Sequence, residues 1–228
     1  MRQPARRPLI LHIDSAGFPF ISGALALAVL AGALGGWLFA VPAVLLALFF
    51  AFFFRDPERH VPAAASDNDV LSPADGEVLV AGEAMADATP AGIPSGSWRQ
   101  VSIFLSPMDV HVNRVPASGR VTRVVFTKGR FLPAYRREAA TVNERSEIWI
   151  DHRGQAVVAR QIVGFLARRV VCRVETGALV RAGDRFGVMK FGSRMDVFLP
   201  PTATITVAVD QKVRGGETVI AMLHSAAR

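Results

Sequence analysis

The distribution of hydrophobic and polar positions divides the chain into two parts. Residues 15–54 form a run of 40 positions without a single charged side chain, whereas a membrane-spanning helix needs about 20 apolar residues. Gly35 and Gly36 interrupt the run near its middle, which predicts a bend. The pattern therefore predicts an N-terminal hydrophobic helical hairpin, either two short spans or one re-entrant hairpin, within a membrane-associated segment 1–60.

The second part of the chain has a different pattern. From about residue 66 onward, short runs rich in Val and Ile alternate with turn signals such as DHRG and VRGGE, a pattern typical of strands. The predicted strands are 77–83, 100–106, 119–127, 147–151, 156–164, 168–175, 196–200, 203–209 and 218–223. Because no long amphipathic helix interrupts them, the sequence predicts a mainly β fold, with a compact β-sandwich or barrel-like domain in residues 61–228.

The net charge of the chain indicates which class of partner it binds. The net charge is +7, and 23 of the 26 basic residues are arginine, which suits nucleic acid or an anionic lipid surface. The apolar segment favours lipid, and the aromatic residues concentrate there instead of among the later basic residues, so no nucleic-acid site is predicted. By the positive-inside rule, both ends of the segment lie in the cytoplasm. The flanking basic residues are Arg2, Arg6, Arg7, Arg55 and Arg59.

Candidate chemistry is confined to three polar clusters. The sequence has no nucleophile elbow, zinc-protease motif, Walker loop or dinucleotide fingerprint. Its five histidines lack metal-ligand spacing, so no metal is predicted, and its single cysteine excludes an intramolecular disulfide. The clusters are LSPADG at 71–76, FLSPMDVHVNR at 104–114 and KFGSRMD at 190–196. Each cluster alone is compatible with an ordinary turn beside a strand.

Together and in this order, the clusters resemble phosphatidylserine decarboxylase. The resemblance covers nearly the whole chain: FFRDPER after the apolar segment, SPADG, the FLSPMDVHVNRVPASG block and the GDRFGVMKFGSRMDVFLP run. The chain length is similar to that of the short bacterial and archaeal branch. The resemblance implies a carboxy-lyase at the cytoplasmic face of the cell membrane. Its substrate would be phosphatidylserine, and its products phosphatidylethanolamine and carbon dioxide.

The resemblance also implies that the enzyme forms by self-cleavage. The Ser193 hydroxyl would attack the carbonyl of Gly192, and elimination followed by hydrolysis would convert Ser193 into a covalent pyruvoyl group. That group replaces pyridoxal phosphate as the electron sink and forms a Schiff base with the substrate amine. The products would be a β chain, 1–192, and an α chain, 193–228, which form a heterodimer whose further oligomerisation is left open.

Three other residues receive roles from the resemblance. Asp75 would assist self-cleavage by orienting or polarising a base near Ser193, and His111 matches the histidine linked to decarboxylation. The longer branch of the family has a second histidine where this chain has Arg114, so two bases remain open: His111 in both steps, or Asp75 with another group. Arg114 is a candidate for binding the phosphate or carboxylate of the substrate. A solvated charge at a strand end is the alternative for it.

Two alternative functions remain open from the residues. VRAGDRFGVMKFGS and VRGGETVIAML look like the hammerhead turns of lipoyl or biotinyl domains, and Lys190 lies in a Met-Lys pair. A non-catalytic membrane-anchored carrier would fit these turns but would leave SPADG, His111 and Ser193 without a role. An archaeal-type ether analogue of phosphatidylserine is the second alternative, since it carries the same headgroup.

Overall fold

A computed structural model of the chain describes residues 12–93, 97–165 and 169–224. Arg2, Arg6 and Arg7, and the first residue of the predicted strand 168–175, lie outside these ranges. The chain divides into two compact units, 1–58 and 59–228.

The first unit is a pair of apolar helices, α1 (Phe18–Gly35) and α2 (Trp37–Phe53). They are joined at Gly36, whose φ of 87° lies in the left-handed region that favours glycine. Small residues line their interface: Ala24 and Ala28 of α1 and Ala43 and Ala47 of α2 are buried, so the helices can approach closely. By length and composition, the helical segment 15–35 could cross a membrane, and α2 is shorter.

The second unit is mainly β, as the sequence predicts. Its described residues form one short helix, α3 (Ala139–Val142), and 14 strands. The first seven strands are β1 (Asp69–Leu71), β2 (Gly76–Glu83), β3 (Arg99–Leu105), β4 (Val112–Arg114), β5 (Gly119–Thr127), β6 (Arg145–His152) and β7 (Gln155–Val163). The others are β8 (Val170–Cys172), β9 (Leu179–Val180), β10 (Arg185–Met189), β11 (Ser193–Leu199), β12 (Thr204–Ile205), β13 (Lys212–Val213) and β14 (Val219–Met222).

These strands form one large and two small sheets. The large sheet is a curled half-barrel with the order β13-β2-β3-β11-β7-β6-β5-β9. The small sheets have the orders β1-β14-β12 and β4-β10-β8. Each of the nine predicted runs contains a strand, whereas β1, β4, β9, β10 and β13 were not predicted. The lipoyl-like hammerhead interpretation of the turns stays a prediction.

The main core lies between the large sheet and the small ones. Alternate residues of β11, including Met195 and Val197, pack in one buried cluster with Phe186 of β10 and Ile220 of β14. This alternation follows from the period of two along a strand, and it also sets the direction of Ser193, which lies on the same face as Met195.

The opposite face of β11 carries two buried charges, Arg194 and Asp196, beside the buried Phe198. Arg194 Nε donates to Asp196 Oδ1 at 2.6 Å, and its Nη2 donates to Ser102 Oγ of β3 at 2.9 Å. Next to them, Arg160 of β7 donates to Glu147 of β6 at 2.9 Å. Since a buried charge is costly without its partner, this network favours one register of β11 between β3 and β7.

Candidate active site

The third polar cluster is a tight turn that enters β11. Phe191 has a φ of 60° and Gly192 a φ of 74°, so two consecutive residues lie in the left-handed region. For a phenylalanine this conformation costs about 1–3 kcal/mol. Ser193 follows as the first residue of β11; it is 0% exposed, and its Oγ has no hydrogen-bond partner among the described residues. A buried hydroxyl without a partner is uncommon and calls for an explanation.

His111 contacts this turn through its side chain. The backbone N–H of Gly192 donates to Nε2 of His111 at 3.3 Å. Nε2 must then be the unprotonated ring nitrogen, and Nδ1 carries the hydrogen that is donated to the Asp109 carbonyl at 3.0 Å. The Met189 N–H also donates to the backbone oxygen of His111. His111 is 1% exposed, so a basic nitrogen lies in a buried site beside the Gly192–Ser193 bond.

Gly164 contacts the other side of Gly192. It follows β7 directly, and a Cβ at this position would overlap the carbonyl oxygen of Gly192. Gly164 therefore allows that carbonyl to lie where a side chain would otherwise be. His111 holds the N–H of Gly192 and Gly164 packs on its carbonyl, so the two peptide groups on either side of the Gly192 Cα are each constrained by one contact.

Asp75 lies on the far side of β3 from Ser193. Ser193 pairs with Leu105 of β3, and on the other edge of β3 Glu77 pairs with Phe104, which places the start of β2 about 10 Å, two strand spacings, from Ser193. The Asp75 carboxylate accepts from Arg59 Nη2 and from Gly215 N, each at 2.7 Å.

The pKa of Asp75 is raised. Burial is the largest cause, opposed by the Gly215 hydrogen bond and the Arg59 charge, and the negative charge of Asp109 raises the pKa further. The influence of Asp109 indicates that the carboxylate lies near the turn that leads to His111.

Arg114 is a buried residue at the end of β4. It is 6% exposed, its Nη1 donates to the Gly183 carbonyl at 2.9 Å, and its Cδ lies where a Cβ of Gly216 would be. Its backbone N–H donates to the Pro73 carbonyl at 2.8 Å. The SPADG turn and the HVNR segment are therefore joined directly.

The structure brings Ser193, Gly192 and His111 together, with Asp75 and Arg114 in the surrounding layer. Sequence reasoning missed the roles of Arg59 and Gly164. Arg59 lies in the FFRDPER block, whose position after the apolar segment indicates only a flanking charge. Its Nη1 also donates to Glu217 at 2.9 Å. Gly164 ends a predicted strand, and nothing in its local pattern indicates that it contacts residue 192.

Comparison with known proteins identifies the family. The family described as phosphatidylserine decarboxylase matches residues 46–221. The chain belongs to the phosphatidylserine decarboxylase family. The resemblance of the four sequence blocks is thus confirmed, and the chain is a decarboxylase of this family.

Relatives from several bacteria agree with this assignment. The phosphatidylserine decarboxylase proenzyme of Nitrosomonas europaea is 41% identical over 209 residues, which cover 91% of this chain and 94% of the relative. The proenzyme of Solibacter usitatus is 41% identical over 211 residues, 92% and 97% of the two chains. The proenzyme of Pelodictyon phaeoclathratiforme is 44% identical over 174 residues, 76% and 79% of the two chains. Each of these three relatives is named as a proenzyme.

Proposed function

We propose that the chain cuts itself between Gly192 and Ser193 and then decarboxylates the serine headgroup of phosphatidylserine to give phosphatidylethanolamine and carbon dioxide. The observation that carries the proposal is the buried Ser193 hydroxyl, which lacks a hydrogen-bond partner among the described residues. Ser193 follows a left-handed turn, in which Phe191 is strained and the N–H of Gly192 donates to a histidine nitrogen. The ether-lipid alternative shares this headgroup, so the same chemistry applies to it.

Self-cleavage begins with the Ser193 hydroxyl. Its oxygen bonds to the carbonyl carbon of Gly192, the C–N bond breaks, and the freed amine of Ser193 takes a proton, which leaves an ester. Removal of the Ser193 α-proton then breaks the Cβ–O bond and releases the Gly192 carboxylate. Water hydrolyses the dehydroalanine to a pyruvoyl group and ammonia. The left-handed turn supports the first step, because strain in the uncut chain is relieved when the bond breaks.

His111 is the proposed base for self-cleavage. Its Nε2 carries a lone pair and lies beside the N–H of Gly192, next to the residue whose hydroxyl must lose a proton. The carbonyl of Asp109 holds the opposite ring nitrogen and so fixes the tautomer. This arrangement supports His111 in both steps, since the same nitrogen would deliver the proton after carbon dioxide is lost.

The two products remain in one fold. The β chain would be 1–192 and the α chain 193–228, which begins with β11. Ser193 to Leu199 pair with β3 along the whole strand, and Ser193 to Phe198 pair with β7. The pyruvoyl group withdraws electrons from the α-carbon of an attached amine. The geometry of Ser193 fits that group, because the first residue of β11 is buried and is held on both edges.

Arg114 is the proposed partner of the substrate phosphate or carboxylate. A planar guanidinium can donate two parallel hydrogen bonds to either group. Arg114 follows His111 by three residues and already donates to the Gly183 carbonyl, which orients its plane.

The helix pair is the proposed membrane anchor. Its large side chains are exposed: Leu34 is 82% and Trp37 74% exposed within the structure, as lipid-facing residues would be. The segment 15–35 satisfies the length and composition of a spanning helix. With arginines at its flanks, the anchor would hold the enzyme at the cytoplasmic face of the cell membrane, where a diacyl substrate resides.

Asp75→Asn is expected to slow self-cleavage without lowering stability at neutral pH. Since the pKa of Asp75 is raised, the folded chain carries a buried charge that the unfolded chain carries in water. This charge opposes folding above the ordinary pKa of 3.8 and ceases to do so as the pH falls below it. Thermal unfolding in an uncut Ser193→Ala background checks the stability, and the rate of appearance of the α chain checks the function.

The control for Asp75 is Asp67→Asn, which removes an exposed ion pair with Arg153. This change is expected to alter neither the thermal stability nor the rate at which the α chain appears. A large loss of stability in Asp75→Asn at neutral pH, with normal cleavage, would assign the carboxylate a structural role alone.

The first experiment is the intact mass of the full chain, purified in detergent and denatured. Two fragments are expected, one ending at Gly192 and one beginning at the former Ser193. The mass of the smaller fragment should correspond to a pyruvoyl group in place of the N-terminal serine. Ser193→Ala is expected to give one chain. Carbon dioxide release from phosphatidylserine should follow the cleaved fraction. A single wild-type chain that still releases carbon dioxide would contradict the self-cleavage mechanism.

A further inference from the structure

Three large apolar side chains are exposed around the candidate active site. Met108, Tyr135 and Phe165 are 63%, 60% and 67% exposed. Each belongs to a different loop, and we call them the apolar rim. Isolated exposed apolar residues are common on soluble proteins. The relevant observation is that these three surround one site.

Each rim residue belongs to a segment whose neighbouring residues contact the site. Met108 lies in the turn that the Asp109 N–H closes onto the Ser106 carbonyl, three residues before His111. Phe165 directly follows Gly164, which packs on the Gly192 carbonyl. Met108 and Phe165 therefore lie close in sequence to His111 and Gly164, the two residues that contact Gly192.

Tyr135 is held by the loop that joins β5 to α3. The preceding residue, Ala134, lies 3.5 Å from the position of a Cβ on Gly164, and the Tyr135 ring meets the Phe104 ring edge-on with centroids 6.1 Å apart. Asn143 is fully buried and donates to the carbonyls of Leu132 and Val163, each at 2.8 Å. This loop is consequently fastened to the end of β7, beside the site.

The same loop is strongly basic. Lys128, Arg130, Arg136 and Arg137 are all exposed, and Glu138 is the one acidic residue in 128–138. Exposed aromatic and basic side chains in one short loop are typical of segments that bind anionic membrane surfaces. The charge is complementary to a phosphatidylserine-containing bilayer and opposes binding to a basic partner.

We propose that the apolar rim and the basic loop 128–137 dock the second unit, residues 59–228, onto an anionic bilayer surface, so that the headgroup passes from the lipid plane to the site. This inference rests on the proposed function for the location of the site. It adds a lipid contact that belongs to the second unit itself, besides the proposed helical anchor. Met108, Tyr135 and Phe165 would enter the interface while the basic side chains contact headgroups.

The direct test places an environment-sensitive nitrobenzoxadiazole label at residue 165. The full chain, as Cys172→Ser with Phe165→Cys, is reconstituted in nanodiscs that contain phosphatidylglycerol or only phosphatidylcholine. Phosphatidylglycerol lacks the serine headgroup, so the result does not depend on turnover. A blue shift and quenching by spin-labelled acyl chains are expected in the anionic discs, and a weaker response in the neutral ones.

The matched control carries the label at residue 179. Leu179 is 75% exposed and pairs with Arg120 at the end of β5 away from the basic loop. No shift is expected there. Equal responses at 165 and 179, or no response at 165 in the anionic discs, would overturn the proposal.

Turnover provides a second readout. Phe165→Ser is expected to lower carbon dioxide release from vesicular phosphatidylserine about tenfold. A phenylalanine side chain that inserts only partly into the bilayer contributes part of its full transfer free energy to binding, and the serine variant loses that contribution. Release from a short-chain, monomeric phosphatidylserine should be unchanged, and Leu179→Ser should change neither. Equal losses on both substrates would place Phe165 in headgroup chemistry and contradict docking. A wild-type chain inactive on both would contradict the proposed function instead.

Discussion

His111→Asn is expected to slow self-cleavage by about 100-fold or more, the usual contribution of a general base. Asparagine can reproduce the donor at Nδ1, which meets the Asp109 carbonyl at 3.0 Å. It has no atom in the place of Nε2, which accepts from Gly192. The loop should keep its shape while the base is lost. The measurement is the time course of α-chain appearance after synthesis in a cell-free system.

His152→Asn is the matched control for this change. His152 is also buried, at 3% exposure, and its Nδ1 lies 2.6 Å from the Ser118 carbonyl. It belongs to the end of β6 that pairs with Gln155, away from Ser193. Normal cleavage is expected there. Cleavage of His111→Asn at the wild-type rate would exclude His111 as the base.

The chains of His111→Asn that do cleave allow the second step to be measured separately. Carbon dioxide release, divided by the number of pyruvoyl groups found by mass, reports decarboxylation alone. If His111 also delivers the proton to the product, this ratio falls as well. A normal ratio would restrict His111 to self-cleavage.

Gly164→Ala is expected to leave the chain folded and largely uncut. The added Cβ would overlap the Gly192 carbonyl oxygen, so the peptide group must move away from Ser193 Oγ. A displacement of about 1 Å at reacting atoms costs about 100-fold in rate. Hydroxylamine added to the uncut protein separates the steps, because it cuts an ester but not an amide. Little hydroxylamine-dependent cleavage is expected, since the ester should not form.

Gly119→Ala provides a control with a similar steric change. A Cβ at Gly119 would overlap the Asp151 carbonyl oxygen, between β5 and β6 and far from the site. Both variants should lose stability, which thermal unfolding in a Ser193→Ala background measures. Only Gly164→Ala should also lose cleavage. Equal cleavage rates at equal stability would show that Gly164 is a packing residue only.

The sequence predicts the elements whose signal is local. The 40 uncharged residues with a glycine pair at their centre predict both helices and their junction, and the Val-rich runs locate nine strands. The missed strand β10 lies in GDRFGVMK, where Gly187 interrupts a short apolar run. That glycine is required by a close approach: a Cβ there would overlap the Val171 carbonyl of β8. Local patterns contain no information on such pairings.

The candidate site shows the same limit. The motif around Ser193 is visible in the sequence, but the contact between His111 and Gly192 joins residues 81 positions apart and depends on the pairing of β4 with β10 and of β3 with β11. Gly164 meets Gly192 because β7 and β11 are neighbours. The role of Asp75 in self-cleavage stays a prediction, and the sequence gives no sign that its carboxylate accepts hydrogen bonds from Arg59 and Gly215. A resemblance transfers residue identities, and tertiary structure decides which of them touch.

Under the proposed self-cleavage, the position of β11 in the middle of the large sheet would determine the lifetime of the cleaved molecule. Once the bond before Ser193 is cut, 36 residues stay in place only through strand pairing and buried contacts. If they leave the sheet, the two pieces must find each other again in solution, and no peptide bond remains to restore their proximity. Each cleaved molecule would therefore have folded only once as a single chain, and its survival would depend on the rate of unfolding more than on the equilibrium between folded and unfolded states.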